Sequence, residues 1–120
     1  MSSKPSLFTP RSARAAAHSL RPTLHEALLL YRALTPRAPG AGCSERPVDP
    51  TYFAGVRRLL KAVDRIREAG ADLDLPRARL RFPARRQGSD VVLCWDLAEP
   101  HALWQGDAPA VEDGAWEEAG

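Results

Sequence analysis

The sequence predicts an α+β fold: a long antiparallel two-helix hairpin, then a small β-hairpin, then an acidic tail. Two patterns carry that reading. Apolar residues recur at three- and four-residue steps through residues 13–34 and 53–66, the period of an amphipathic helix. Val91 to Trp95 is a dense β-type run, preceded by an alternating segment and a turn glycine.

The first helix opens at Phe8-Thr9-Pro10, with Thr9 as N-cap, Pro10 at the first helical position and Phe8 placed for a hydrophobic staple. Ala13, Ala17, Leu20, Leu24, Ala27, Tyr31 and Leu34 form its apolar stripe. Pro22 interrupts the stripe and is expected to kink the helix, or to split it near Leu20, because proline has no N–H and its ring crowds the preceding turn. The helix stops before Pro36. Residues 36–49, rich in Pro and Gly, read as a mobile inter-helix linker. Asp49-Pro50 opens the second helix by the same cap-then-proline logic, Phe53, Val56, Leu60, Val63 and Ile66 make its stripe, and Gly70 stops it. At about 1.5 Å per residue both helices reach on the order of 30 Å, and one narrow stripe on each suits an antiparallel pair.

From Arg77 to Pro83 the chain alternates, with Arg77, Arg79 and Arg81 on one side and Leu80 and Phe82 on the other. Residues 84–89 supply Gly88 for a positive φ, and Val91 to Trp95 returns as the second strand. A two-stranded ribbon is marginal alone, so the hairpin is expected to pack on the helices, with dimerisation through the helices completing the core in coiled-coil fashion. Residues 8–105 therefore form a single α+β domain, between a flexible 1–7 and a disordered acidic tail, 106–120.

The totals bound the function. At 120 residues the domain is small, and small domains are often stabilised by self-association. The longest apolar run, Ala27 to Tyr31, is far short of the 18 or so residues of a membrane span, so no membrane partner is expected. The first 25 residues are rich in Ser and Arg and hold no acid, as in a transit peptide, yet the helical stripe runs on past Leu24. Two cysteines, Cys43 and Cys94, make no disulfide framework and point to a reducing cytoplasm. The net charge of +2 hides an asymmetry: residues 1–95 hold all 17 Lys and Arg against 8 acids, and residues 96–120 hold 7 acids and no base. Such a chain can bind nucleic acid, or the tail can neutralise the body.

Phe8-Thr9 opening a helix with Ala13, then Phe82-Pro83, Gly88, Val92-Leu93-Cys94-Trp95, Glu99-Pro100 and Trp104, is a combination that resembles an uncharacterised bacterial family, domain of unknown function number twenty-two hundred and three. The resemblance covers about residues 8–105, and its Leu-Cys-Trp-x-x-x-Glu-Pro core is the more specific part. Arg81 stands where the family tends to have Asp, Ala98 where it has Gly, and Gln105 where it has His. If the family's acid and histidine build a polar site, this chain lacks two participants. The resemblance implies a fold type and a bacterial cytosolic setting, and no activity.

Three groups of side chains are candidates for function. Cys94, Asp96, Glu99 and His101 are all able to ligate a divalent metal such as zinc, although the stretch has no paired CxxC or HExxH spacing. The same cluster offers catalytic candidates: Cys94 as nucleophile with His101 as base, or Glu99 as general base. Against these stand a buried, inert cysteine and a glutamate that anchors the turn. Arg77, Arg79, Arg81, Arg85 and Arg86 are the candidates for binding nucleic acid or a protein partner; alternate residues lie about 6.6–6.8 Å apart on a strand, but no aromatic interleaves them as a stacking platform. Trp104 is an anchor for a partner or a packing residue beside Trp95, and Trp116 lies in the tail. His18 and His25 are seven residues, about 10.5 Å, apart on the first helix, too far to share an ion. The sparse polar chemistry favours a non-enzymatic interaction or regulatory module. The alternative is a small metal-dependent or hydrolytic enzyme centred on Cys94, Asp96, Glu99 and His101.

Overall fold

A computed structural model describes residues 7–34, 50–112 and 114–117. The expectations of a flexible 1–7 and a mobile linker at 36–49 fall almost wholly outside those residues. Helix α1 spans Pro10–Leu34 and helix α2 Pro50–Glu68. Strands β1 (Asp72–Asp74), β2 (Arg79–Arg86), β3 (Ser89–Asp96), β4 (Trp104–Gln105) and β5 (Ala108–Pro109) form one antiparallel meander in chain order.

Both helix starts and stops follow local chemistry. The Ser12 N–H donates to Thr9 Oγ1 (3.2 Å) and the Thr9 N–H to Ser12 Oγ (2.8 Å), a reciprocal capping box with serine in the usual glutamate position. Helix α1 runs through Pro22 without a break, so the split at Leu20 does not occur. Pro22 is exposed, while Leu20 and Leu24 on either side are buried, and that packing offsets the one missing backbone bond. At the end of α2, Gly70 (φ +94°) donates to the Arg67 carbonyl (2.9 Å) and Ala71 to that of Ile66 (3.3 Å), a Schellman stop. The helices are antiparallel: Leu34 packs where Gly55 has no side chain, and Glu26 pairs with Arg58 (2.9 Å).

The expected hairpin is the centre of a larger sheet. Its first strand is shifted: Arg77 and Ala78 lie in the turn before β2, and Ala84, Arg85 and Arg86, read as turn, continue the strand up to a two-residue turn, while β3 extends to Ser89 at one end and Asp96 at the other. Gln87 (φ +52°) and Gly88 (φ +80°) both take the left-handed conformation, as a type I′ turn requires. Pro83 sits in mid-strand without breaking it. Its carbonyl points away from β3 and accepts from the Phe8 N–H (2.9 Å), so its nitrogen also faces the edge and leaves the β2–β3 ladder intact. β1, β4 and β5 were missed because two or three residues are too short to show a period.

One face of the sheet buries Leu80, Phe82, Ala84, Leu93 and Trp95 against Ala13, Ala17, Leu20 and Leu24 of α1 and Ile66 of α2. The Phe8 ring meets Phe82 edge-on, with centroids 4.9 Å apart. The acidic tail does not read as its composition suggests. Over 106–112 and 114–117 it forms β5, passes α1, where Arg14 pairs with Glu112 (2.9 Å), and reaches the far edge of the sheet. There Trp116 bridges Arg86 and the Glu117 N–H donates to the Arg85 carbonyl (2.9 Å). Apolar Ala110 and Trp116 pack on the core and carry this strap in spite of its acids.

Away from the sheet, Ala27, Leu28 and Ala62 are buried outside the main core cluster, while α2 leaves Tyr52, Phe53 and Leu60 exposed. The molecule measures 56 × 35 × 22 Å. Among the described residues no helix is long and apolar enough to cross a membrane.

Candidate functional site

The open face of the sheet, opposite the helices, collects the charged residues. Antiparallel register sets Arg79 opposite Asp96, Arg81 opposite Cys94, and Arg85 opposite Asp90, with Asp72 and Asp74 of β1 beyond Arg81 and Arg79. Each arginine of the predicted stripe from 77 to 85 has an aspartate. Arg79 donates twice to Asp96 (2.7 and 3.4 Å), Arg85 pairs with Asp90 (3.0 Å), and Asp74 receives both Arg77 (2.9 Å) and Arg81 (3.0 Å). Arg86 lies over the Trp116 ring, 5.7 Å from its centroid. The hydrogen bond from Arg77 holds the Asp74 carboxyl below its ordinary range, with the Arg77 and Arg81 charges adding to it. Asp96 in turn raises Arg79 through their hydrogen bond.

At one end of this face lies a cavity of about 320 Å³ lined by Arg79, Cys94, Asp96, Glu99, Trp104, Gly106 and Asp107. Two backbone features build it. After β3 the chain turns, with the Glu99 N–H on the Asp96 carbonyl (3.1 Å) and the Ala102 N–H on that of Glu99 (3.0 Å). The turn is fixed from within by the buried Trp95 indole, which donates to the Pro100 carbonyl (3.1 Å). Gly106, at φ +62°, then reverses the chain into β5.

The cavity brings together three members of the predicted cluster, Cys94, Asp96 and Glu99, and adds Trp104 and Asp107. His101 is not among its lining residues. Its side chain is exposed, and its carbonyl accepts from Arg14 (3.2 Å). Among the described residues no three His, Cys, Asp or Glu side chains are placed to hold a metal ion. Burial pushes the Cys94 thiol up, against the opposing pull of Arg79 and Arg81, so at neutral pH it holds less thiolate than an ordinary cysteine. Asp96 is committed to Arg79.

The two tryptophans divide the alternatives the sequence left open. Trp95 is core; Trp104, opposite Cys94 on β4, is half-buried and forms a wall of the cavity. The aspartates were legible in principle: Asp72 and Asp74 alternate as Arg79 and Arg81 do, which is the pattern of facing antiparallel strands. Asp107 had no signal, because only the Gly106 turn places it on the rim of the cavity.

These features define a small α+β domain with a helical hairpin on one face of an antiparallel meander and a polar cavity on the other. The chain belongs to the family described as Uncharacterized conserved protein (DUF2203), whose model matches residues 6–109. No curated protein and no solved structure matches the chain.

Proposed function

We propose that this chain is a non-enzymatic interaction module of the bacterial cytoplasm, working through the open side of its helical hairpin. One observation carries the reading: the apolar stripe of α2 is wider than α1 can cover, and it leaves Tyr52, Phe53 and Leu60 41, 47 and 57 % exposed. Large apolar side chains grouped on one helix face mark a contact surface far more often than scattered single ones do. The polar side of the molecule supports the same reading. Its arginines and aspartates neutralise one another, which weakens their hold on phosphate, and the Cys94 thiol is disfavoured as a nucleophile by burial. Cys94 as a free thiol suits a reducing compartment.

A photo-cross-linking residue at Phe53, compared in living cells with one at the exposed Val92 of the sheet, tests the reading. Discrete protein adducts from position 53 alone are expected. Adducts from neither position would overturn it.

A second reading has one observation in its favour, the convergence of Cys94, Asp96 and Glu99 on a cavity beside Trp104. It makes the chain a small metal-dependent or hydrolytic enzyme. Elemental analysis of protein purified without a histidine tag or chelator decides it: near one zinc, iron or manganese per chain, lost in Glu99→Ala, would move the function to the cavity.

A further inference from the structure

We infer that the occupant of the open helix face is a second copy of this chain, joined about a two-fold axis that crosses α2 near Leu60; this rests on the interaction-module reading and names its partner. Four observations lead there.

The first is the geometry of the face. Phe53, Val56, Leu60 and Val63 follow one another at steps of three, four and three residues and so share one line, or seam, along α2. Ala62 and Ile66, which are buried, lie on a neighbouring line of α2. Val56 and Val63 are half-buried between that line and the exposed Phe53 and Leu60, so the seam widens the packed side outward. Tyr52 and Phe53 meet each other, with ring centroids 5.9 Å apart, at the outer end of the hairpin.

The second is what the rest of the chain can offer. The acidic strap is already used at the β2 edge, where Trp116 sits. Residues 35–49 read TPRAPGAGCSERPVD and contribute one large apolar side chain, Val48; residues 1–6 contribute Met1, and residues 118–120 none. No remaining segment of this sequence carries the side chains to cover Phe53, Val56, Leu60 and Val63. A second copy carries the same four, in the same order.

The third is charge. Arg57 lies three residues before Leu60 and Asp64 four after it, and both flank the same side of the seam. A two-fold near Leu60 runs the two α2 helices antiparallel. It sets Arg57 of each copy across from Asp64 of the other, so the pattern complements itself. The exposed basic residues Arg11, Arg21 and Arg32 belong to α1 rather than to α2.

The fourth is symmetry. The α2 seam alone, 19 residues and about 28 Å long, is smaller than the roughly 800 Å² per partner of a standard interface, so symmetry rather than area favours a second copy. An isologous contact of this kind closes at two copies. By contrast, docking of the basic helices on the acidic sheet of a neighbour would be heterologous, open-ended and lost in salt.

Sedimentation equilibrium of the full chain tests the inference. A mass of twice 13.1 kDa at micromolar concentration, kept in about 0.5 M salt, is expected. Leu60→Glu should weaken the association at least about tenfold with helix content unchanged by circular dichroism, since the side chain is exposed in the single chain. Arg57→Asp should weaken it as well, and Arg57→Asp with Asp64→Arg should restore it. A single-chain mass at every concentration overturns the inference, as does a dimer indifferent to Leu60→Glu or a double variant that fails to recover. Adducts from position 53 to a different protein, with a monomeric purified chain, would sink the second copy and leave the interaction module standing. No adducts at all would sink both.

Discussion

The sheet layer and the outer half of the helical hairpin are built from the same chain but finished differently. In the sheet, every part of the β2 edge is occupied in turn by β1, Phe8 and Trp116, and the arginines of its open face are matched to aspartates. The helices carry nine Lys and Arg against three acids, whereas residues 71–117 carry five against nine. Their outer half leaves large apolar side chains uncovered. The difference teaches where this molecule's surplus lies. The β2 edge and the arginines of the open sheet face are satisfied within the chain, and the helix face is the part left for another molecule to satisfy.

The largest effect expected from breaking that contrast is in the core. Trp95→Ala removes a fully buried side chain and its bond to Pro100, and should cost about 3–5 kcal/mol in urea unfolding, while Leu60→Ala under monomeric conditions should cost well under 1 kcal/mol. Equal losses would mean the two regions are not finished differently. Next comes the strap. Trp116→Ala should cost about 1–3 kcal/mol and should speed amide exchange at Gln87 and Glu117, which the strap bonds. Unchanged exchange would show that the strap does not hold the edge.

Gly88→Ala follows, at about 1 kcal/mol. A Cβ there meets nothing within 4 Å, so the cost is the φ of +80° alone, and a much larger loss would mean the turn is crowded. The smallest effect is electrostatic. Asp74 has its folded-state pKa lowered from 3.8, so its contribution is present above that value and is lost as pH falls through the lower folded value. Asp74→Asn should therefore be slightly less stable than the parent near neutrality, with the gap closing below pH 3.8. A gap that persists at low pH would assign the loss to packing rather than to the pairing with Arg77 and Arg81.

Much of this was legible in the sequence because it is local. Thr9-Pro10 caps and starts α1, Gly70 ends α2, Gly88 turns the hairpin, and the α1 stripe and the Val91 to Trp95 run set which faces are buried, whereas of the stripe read on α2 only Ile66 is buried. The candidate site was legible in part. Period two places Cys94 and Asp96 on one face, and the turn after β3 brings Glu99 to them. His101 was grouped with them by proximity in sequence, and the turn carries it toward Arg14 instead. The strap was read as solvated because its acids dominate its composition, while its anchors, Ala110 and Trp116, are only two residues.

The sequence by itself determined the two helices, the central hairpin, the capping chemistry and the buried stripe of α1, since each depends on residues a few positions apart. Tertiary structure alone decided which arginine meets which aspartate, that two- and three-residue strands extend the sheet, that Asp107 lines the same cavity as Cys94, and that one side of α2 stays open. Those outcomes depend on what lies opposite a residue in space. No period along the chain records that.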